Sequence, residues 1–413
     1  MRAEGAQPNY LTWFGCAFAA GILTVALFNA VVDPVGIFGL VERRGFNLPK
    51  ARPERDIAQL KLFAAVRVQP DVLILGNSRA EVGFDPQHPG WASIGSKVYN
   101  LAVPGADIER SVGLLEAMCS IHEPRFVMVG LDFMDFLVPP DRLGTYRARA
   151  GAAPHTRPAL RDRVLALVTA DALVDSIRTI RAQRLHFPEI ITEGGFNPLL
   201  EYVPMARDGG YYPLFQQRLI ENAKAFSRTP VVVGKVGAHE SPAAQSLRSL
   251  IRTARSCGSK LLFVTYPYHS QYLTLIREAG LWPQFEEWKR LIAAVVADEA
   301  SRDIRIPLWD FAYFSEASME QIPSPGDYRT VVKWYWEGGH FKKELGDQLL
   351  RQVLGEQQKA PEGAVLVARE LRPATAEHLL RELHEQESAF REQHPEVVDQ
   401  VRKVLKDNRK DRG

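Results

Sequence analysis

The stretch DVLILGNSRAEVGF, residues 71–84, decides how the chain is read. A short apolar run, VLIL, ends on Gly76, Asn77, Ser78 and Arg79. Apolar residues bounded in this way predict a buried strand followed by a turn. A glycine after the strand lets backbone pass closely, and a serine beyond it is presented where a helix begins. Ser78 is then either a turn or N-cap residue, or a nucleophile whose own N–H helps to hold an oxyanion. The GNSR turn matches neither GxxxxGK[ST] nor GxGxxG, which argues against a phosphate loop.

The pattern recurs along the chain. Residues 97–101 predict a second strand, followed by Pro104-Gly105 and a helix near 108–119. Residues 126–131 predict a third strand, 260–265 a fourth and 304–309 a fifth, with helices near 243–256 and 343–354. Short apolar runs alternating with helices indicate a mostly parallel sheet covered on both faces. The fold class expected is α/β, a flavodoxin-like doubly wound sheet. Sites in such sheets form outside the carboxyl ends of the strands, where Ser78, Gly105, Asp132 and Tyr266 fall. Between the third and fourth strands lies a long insertion, residues 137–256, with a helical stretch at 159–185 and a Gly/Pro/aromatic stretch at 194–215. It reads as a lid or substrate surface, or as packing decoration.

The N-terminal region carries another signal. LTWFGCAFAAGILTVALFNAVV, residues 11–32, contains no charged residue. At about 1.5 Å per residue, a helix of this length crosses a ~30 Å hydrocarbon core. Tyr10 and Trp13 sit where interfacial aromatics belong. A signal peptide and a buried core helix are the other readings. The run is long for a signal peptide and lacks a clear small-x-small cleavage site, so it is read as a membrane anchor. Arg2 precedes it, whereas Arg43, Arg44, Lys50, Arg52 and Arg55 follow. A positive-inside count alone keeps the following domain in the cytoplasm.

The expected organisation is an anchor at 1–34, a linker at 35–55, an α/β domain at 56–357 and a charged helical tail at 358–413. The tail reads as an appended helical pair or short coiled coil without chemistry of its own. A net charge of +2 over 413 residues gives no global sign of a nucleic-acid partner. The three cysteines, Cys16, Cys119 and Cys257, lie far apart and form neither a zinc spacing nor a disulfide framework. A Cys119–Cys257 bridge is one available pairing.

A catalytic serine needs a base, usually histidine, and the histidine needs an acceptor to fix its tautomer. Among ten histidines, His378, His384 and His394 lie in the charged tail, while His88 and His122 lie in connections. His269 follows the fourth strand. His340 lies in YWEGGHFKKELGDQLL, just before the last helix of the domain, with Glu337 three residues earlier.

This arrangement resembles the SGNH/GDSL hydrolase superfamily over roughly residues 57–354. GNSR matches its Gly-x-Ser motif, NLAVPG its second-strand glycine at Gly105, and EGGH the acid and histidine usually written D-x-x-H. The anchor, the DP after it, and "DVLILGNSR" followed by "GFDP" resemble membrane-anchored SGNH-like proteins of bacterial polysaccharide and cell-wall acylation. The resemblance implies a single-pass protein of the cytoplasmic (inner) membrane with its main domain in the periplasm. It implies Ser78, His340 and Glu337 as catalytic residues and Gly105 as an oxyanion donor. The activity implied is acetyl transfer to, or ester removal from, an envelope or extracellular polysaccharide. No metal or organic cofactor is implied, but a membrane partner supplying acyl groups is. Two residues depart from the pattern: the acid is Glu337 rather than Asp, and Asp132 stands where the family's oxyanion asparagine belongs. A carboxylate there repels an oxyanion unless it is neutralised or turned away. Asn77 and Asn100 are the amides able to replace that donor. The alternative is a non-catalytic assembly or glycan-binding component of a polysaccharide export system, which Asp132 favours.

Overall fold

The computed structural model describes residues 10–53, 57–139, 160–226, 231–236, 239–300, 305–355 and 364–410. Ile304, the first residue of the expected fifth strand, the start of the tail, and residues 140–159 of the insertion lie outside them.

A mostly parallel sheet organises the chain. Its parallel strands are β1 (Val72–Leu75), β2 (Val98–Asn100), β3 (Phe126–Leu131), β4 (Lys260–Thr265) and β5 (Leu308–Asp310). A hairpin of β6 (Tyr335–Glu337) and β7 (His340–Phe341) follows, and β8 (Arg369–Glu370) joins the sheet last. The spatial order is β8-β5-β4-β3-β1-β2, with β8 antiparallel to β5. The five parallel strands therefore run 2-1-3-4-5, reversing direction between β1 and β3. All their carboxyl ends share one edge. β1 is buried throughout, as expected for a strand with helices on both faces. The fifth strand begins later than the sequence suggests. Pro307 has no N–H to give a ladder, and its carbonyl accepts the Phe263 N–H at 2.9 Å just before the strand starts.

The helices are α1 (Tyr10–Val32), α2 (Ile57–Val68), α3 (Ser78–Gly83), α4 (Ile108–Cys119), α5 (Leu160–Val168), α6 (Ala170–Ala182), α7 (Tyr202–Gly209), α8 (Tyr211–Phe226), α9 (Pro242–Ser256), α10 (Ser270–Glu278), α11 (Trp282–Glu299), α12 (Lys343–Leu354), α13 (Pro373–Gln393) and α14 (Pro395–Lys410). Along one series α4 packs on α9 and α9 on α11. The α4 and α9 ends are joined covalently by a Cys119–Cys257 disulfide, with Cα atoms 5.9 Å apart. The wide cysteine spacing concealed this bridge because β3 and β4 are hydrogen-bonded neighbours despite the insertion between them.

The insertion is more divided than its sequence suggests. Thr169 caps α6 by accepting the Ala172 N–H at 3.2 Å, which splits the expected helix at 159–185 in two. The Gly/Pro/aromatic stretch holds α7 and the start of α8. Nor is the tail a detached coil. It supplies β8 to the sheet edge, and α14 packs against α8 and α10, burying Val401 and Leu405. Among the described residues, α1 is the one helix long and apolar enough to cross a membrane, a property that a signal sequence shares.

Candidate active site

Ser78 opens α3, and local constraints fix where it points. Gly76 has φ +143°, and a Cβ there would lie 2.4 Å from Tyr266 Oη, so the turn requires glycine. Asn77 is the N-cap, its Oδ1 accepting the Arg79 N–H at 3.0 Å. The far end of α3 is drawn against the later chain. A Cβ on Gly83 would fall 2.0 Å from Phe341 Cε2, so the α3 backbone lies directly against the Phe341 ring. Phe341 follows His340, so this contact brings the histidine over Ser78.

The β6–β7 hairpin supplies the other two groups. Its register pairs Glu337 with His340 across a Gly338-Gly339 turn. Tyr335 anchors the hairpin to the end of β4 by donating its hydroxyl to the Pro267 carbonyl at 3.1 Å. His340 Nδ1 is hydrogen-bonded to Glu337 Oε1, and His340 Nε2 lies 2.8 Å from Ser78 Oγ. Glu337 is buried, whereas Ser78 and the His340 side chain are partly accessible. Burial pushes the Glu337 carboxyl upward. His340, Arg218 and the Gly339 N–H outweigh that effect and hold it at about 2. The carboxylate is therefore ionised near neutrality and takes the Nδ1 proton in a hydrogen bond. That leaves Nε2 to accept from Ser78 O–H.

Arg218 went unnoticed in the sequence. It extends from α8, and its Nε lies 3.1 Å from Glu337 Oε1. Nothing in QQRLI distinguishes it, because the contact joins the insertion to a hairpin more than a hundred residues later.

Asp132 faces a different set of partners. It is buried and ion-paired to Arg79. Its Oδ2 accepts Asn77 Nδ2 at 2.6 Å, and its Oδ1 accepts Tyr268 Oη at 2.9 Å. Oδ1 also accepts the Met134 N–H at 3.2 Å, which caps the short turn after β3. The Arg79 guanidinium stacks over Tyr268 and Tyr272, 5.2 and 5.0 Å from the ring centroids. Of the two ways of silencing a carboxylate at this position, the structure has the first: Asp132 is neutralised by Arg79, the residue after the serine.

The two asparagines both brace the turn around Ser78. Asn77 gives its amide to Asp132. Asn100 Nδ2 donates to the Ala80 and Phe84 carbonyls at 2.8 and 2.9 Å, closing the end of α3, while its Oδ1 accepts the Ala102 N–H at 3.1 Å. Asn100 thus uses both amide hydrogens within the framework, whereas Asn77 gives one of its two to Asp132. Gly105 lies at the β2 end with φ +68° and open space where a side chain would project. The Val103 N–H donates to the Gly76 carbonyl at 3.0 Å, tying the Gly105 turn to the Ser78 turn. The Ser78 N–H belongs to the first turn of α3, where helix geometry provides no intrahelical acceptor.

His269 has a structural place. It caps α10, its Nδ1 accepting the Gln271 N–H at 3.1 Å while its Nε2 lies 2.9 Å from the Glu320 carbonyl. Burial lowers it to about 4, so its ring is neutral.

Neither the family models nor the curated proteins compared with this chain match it.

Proposed function

We propose that the protein is a membrane-anchored enzyme of the SGNH hydrolase type that carries out acyl transfer on a carbohydrate. The observation that carries this reading is the Glu337–His340–Ser78 relay, with Ser78 Oγ 2.8 Å from His340 Nε2. A serine, a base and an acid orienting that base are what nucleophilic acyl chemistry needs. The 2-1-3-4-5 sheet order, which is flavodoxin-like, supports the family reading.

In the proposed reaction Ser78 Oγ attacks an ester carbonyl while its proton passes to His340 Nε2. The N–H groups of Ser78 and Gly105 hold the oxyanion. Collapse releases the alcohol, which takes the proton from His340, and leaves an acyl-Ser78 ester. A second hydroxyl then attacks this ester, giving its proton to His340, and Ser78 recovers a proton as the acyl group departs. Water as the second hydroxyl gives ester removal; a sugar hydroxyl gives transfer. A polysaccharide of the envelope is the substrate class the resemblance suggests, with a membrane partner supplying acyl groups for transfer.

We place the main domain outside the cytoplasm, in the periplasm. The Cys119–Cys257 bridge supports this, because disulfides persist chiefly in oxidising compartments. The basic residues after α1 count the other way, yet large domains are exported largely regardless of flanking charge. Asp132, the residue that favoured a non-catalytic component, loses that weight through its pairing with Arg79.

The test is labelling of the full-length protein in detergent with a fluorophosphonate, alongside a burst of p-nitrophenol from p-nitrophenyl acetate. Wild type should label and show a burst, and Ser78→Ala should do neither. A folded wild type that shows neither would end the enzymatic reading.

A further inference from the structure

The anchor and the insertion meet. α5 and α6 pack against α1, and the contact centres on Asn29. Asn29 is fully buried: its Nδ2 donates to the Leu167 carbonyl at 2.9 Å, and its Oδ1 accepts from Ser176 Oγ at 2.8 Å. Through Thr24 every residue of α1 is exposed; from Val25 onward α5 and α6 cover one face, while Leu27 and Phe28 stay exposed on the other.

Length makes this arrangement informative. The part of α1 exposed on all its faces, Tyr10 to Thr24, spans about 22 Å at 1.5 Å per residue. A hydrocarbon core of about 30 Å needs nearly one and a half times that. To complete a span, the core must take in the part of α1 against which α5 and α6 pack. A pair of helices at that level meets acyl chains rather than water.

The surface of the pair suits that position. α5 exposes Leu160, Val164, Leu165 and Val168, which share one stripe at helical spacing. α6 exposes Val174 and Ile177. A helix on a soluble domain turns its apolar stripe inward, whereas α5 leaves its own outside. Arg161 and Arg163 are exposed at the start of the same helix, where long cationic side chains can reach lipid phosphates.

We infer that α5 and α6 form a second membrane-embedded element, seated in the interfacial layer of the leaflet next to the main domain and pinned to the anchor through Asn29. The occupant of the apolar surface is the bilayer, continuous with the lipid around α1. This rests on reading α1 as an uncleaved anchor. The pair would then fix the height and tilt of the main domain over the membrane, which a single helix and a linker leave free.

The experiment places nitroxide labels on the full-length protein in vesicles of phosphatidylethanolamine and phosphatidylglycerol, with Cys16→Ala to remove the free thiol. Labels go at Val164→Cys, Ile177→Cys, Phe18→Cys as the anchor control and Ser324→Cys as the aqueous control. Collision with oxygen relative to a water-soluble nickel chelate is read at each. The expected result is a ratio several-fold above that of position 324 at positions 18, 164 and 177. A lipid-like ratio at 18 with a water-like ratio at 164 and 177 overturns the inference and leaves the anchor standing. Shielding of 164 and 177 from both reagents overturns it in favour of a protein partner or second copy. A water-like ratio at 18 removes the anchor and the inference together.

Discussion

Two buried carboxylates stand near the carboxyl edge of the sheet, each beside an arginine. Glu337 has Arg218 at 3.1 Å, and Asp132 is paired with Arg79. Their remaining partners separate them. Glu337 spends an oxygen on an imidazole that reaches an accessible hydroxyl. Asp132 spends its oxygens on an amide, a phenol, a guanidinium and a backbone N–H that go no further. In the proposed reaction a buried carboxylate takes part through the group it orients, and its own burial and charge do not distinguish the two cases. One site should answer to activity measurements and the other to stability measurements.

The largest effect expected is on the Glu337 side. Ser78→Ala and His340→Ala should each lower acyl-enzyme formation by about 10⁴-fold or more, with similar losses because the pair acts as a unit. Thermal unfolding should shift little for Ser78→Ala, which leaves Glu337 paired with His340. If His340→Ala retained most of the burst while Ser78→Ala lost it, the base would lie elsewhere.

Glu337→Gln should cost about 10⁴-fold in turnover by presenting an amide to Nδ1 and upsetting the tautomer. Single-turnover assays on folded variant would measure this. Near-wild-type turnover would erase the distinction between the two carboxylates.

Asp132→Asn should instead lower stability by about 3–5 kcal/mol, because Arg79 keeps its buried charge without a counter-ion. Urea unfolding would read this, and adding Arg79→Met should recover part of the loss. An increase in activity without loss of stability would return Asp132 to the oxyanion site.

Arg218→Met should reduce turnover about tenfold by removing one charged contact to Glu337. It should also weaken the acid resistance of the site. The Glu337 carboxyl falls to about 2 in the folded chain from an ordinary 4.5. Its contribution to stability is therefore full above about 4.5 and is lost as pH falls through 2. With Arg218 gone, the folded value moves back toward 4.5, so the loss still begins near 4.5 but should be smaller and complete at a higher pH, visible in unfolding midpoints measured between pH 2 and 5.

How much of this could be read from the sequence follows the range of each interaction. Gly76, Ser78 and the β1 run are contiguous, and Glu337 and His340 are three residues apart, so each forms a short motif that the family resemblance could single out. The parallel sheet needed little more, because short buried runs alternate with helices, although that alternation leaves the order of the strands open. Contacts between distant segments left no comparable trace. Arg79 was quoted in the motif, but its partner is 53 residues away. The Gly83–Phe341 contact and the Arg218–Glu337 pair exist only once the sheet has formed. The tail reads as a separate helical pair because its apolar spacing does not say which surface it covers.

The Cys119–Cys257 bond closes a ring of chain, its ends 138 residues apart, that contains β3, the insertion and α9. A protease that cut once anywhere inside this ring would leave no loose piece. The fragment bearing Ser78 and the fragment bearing His340 would stay tethered, migrating as one band until a reductant was added. Scission of the insertion and separation of the halves bearing Ser78 and His340 are therefore distinct events in this molecule.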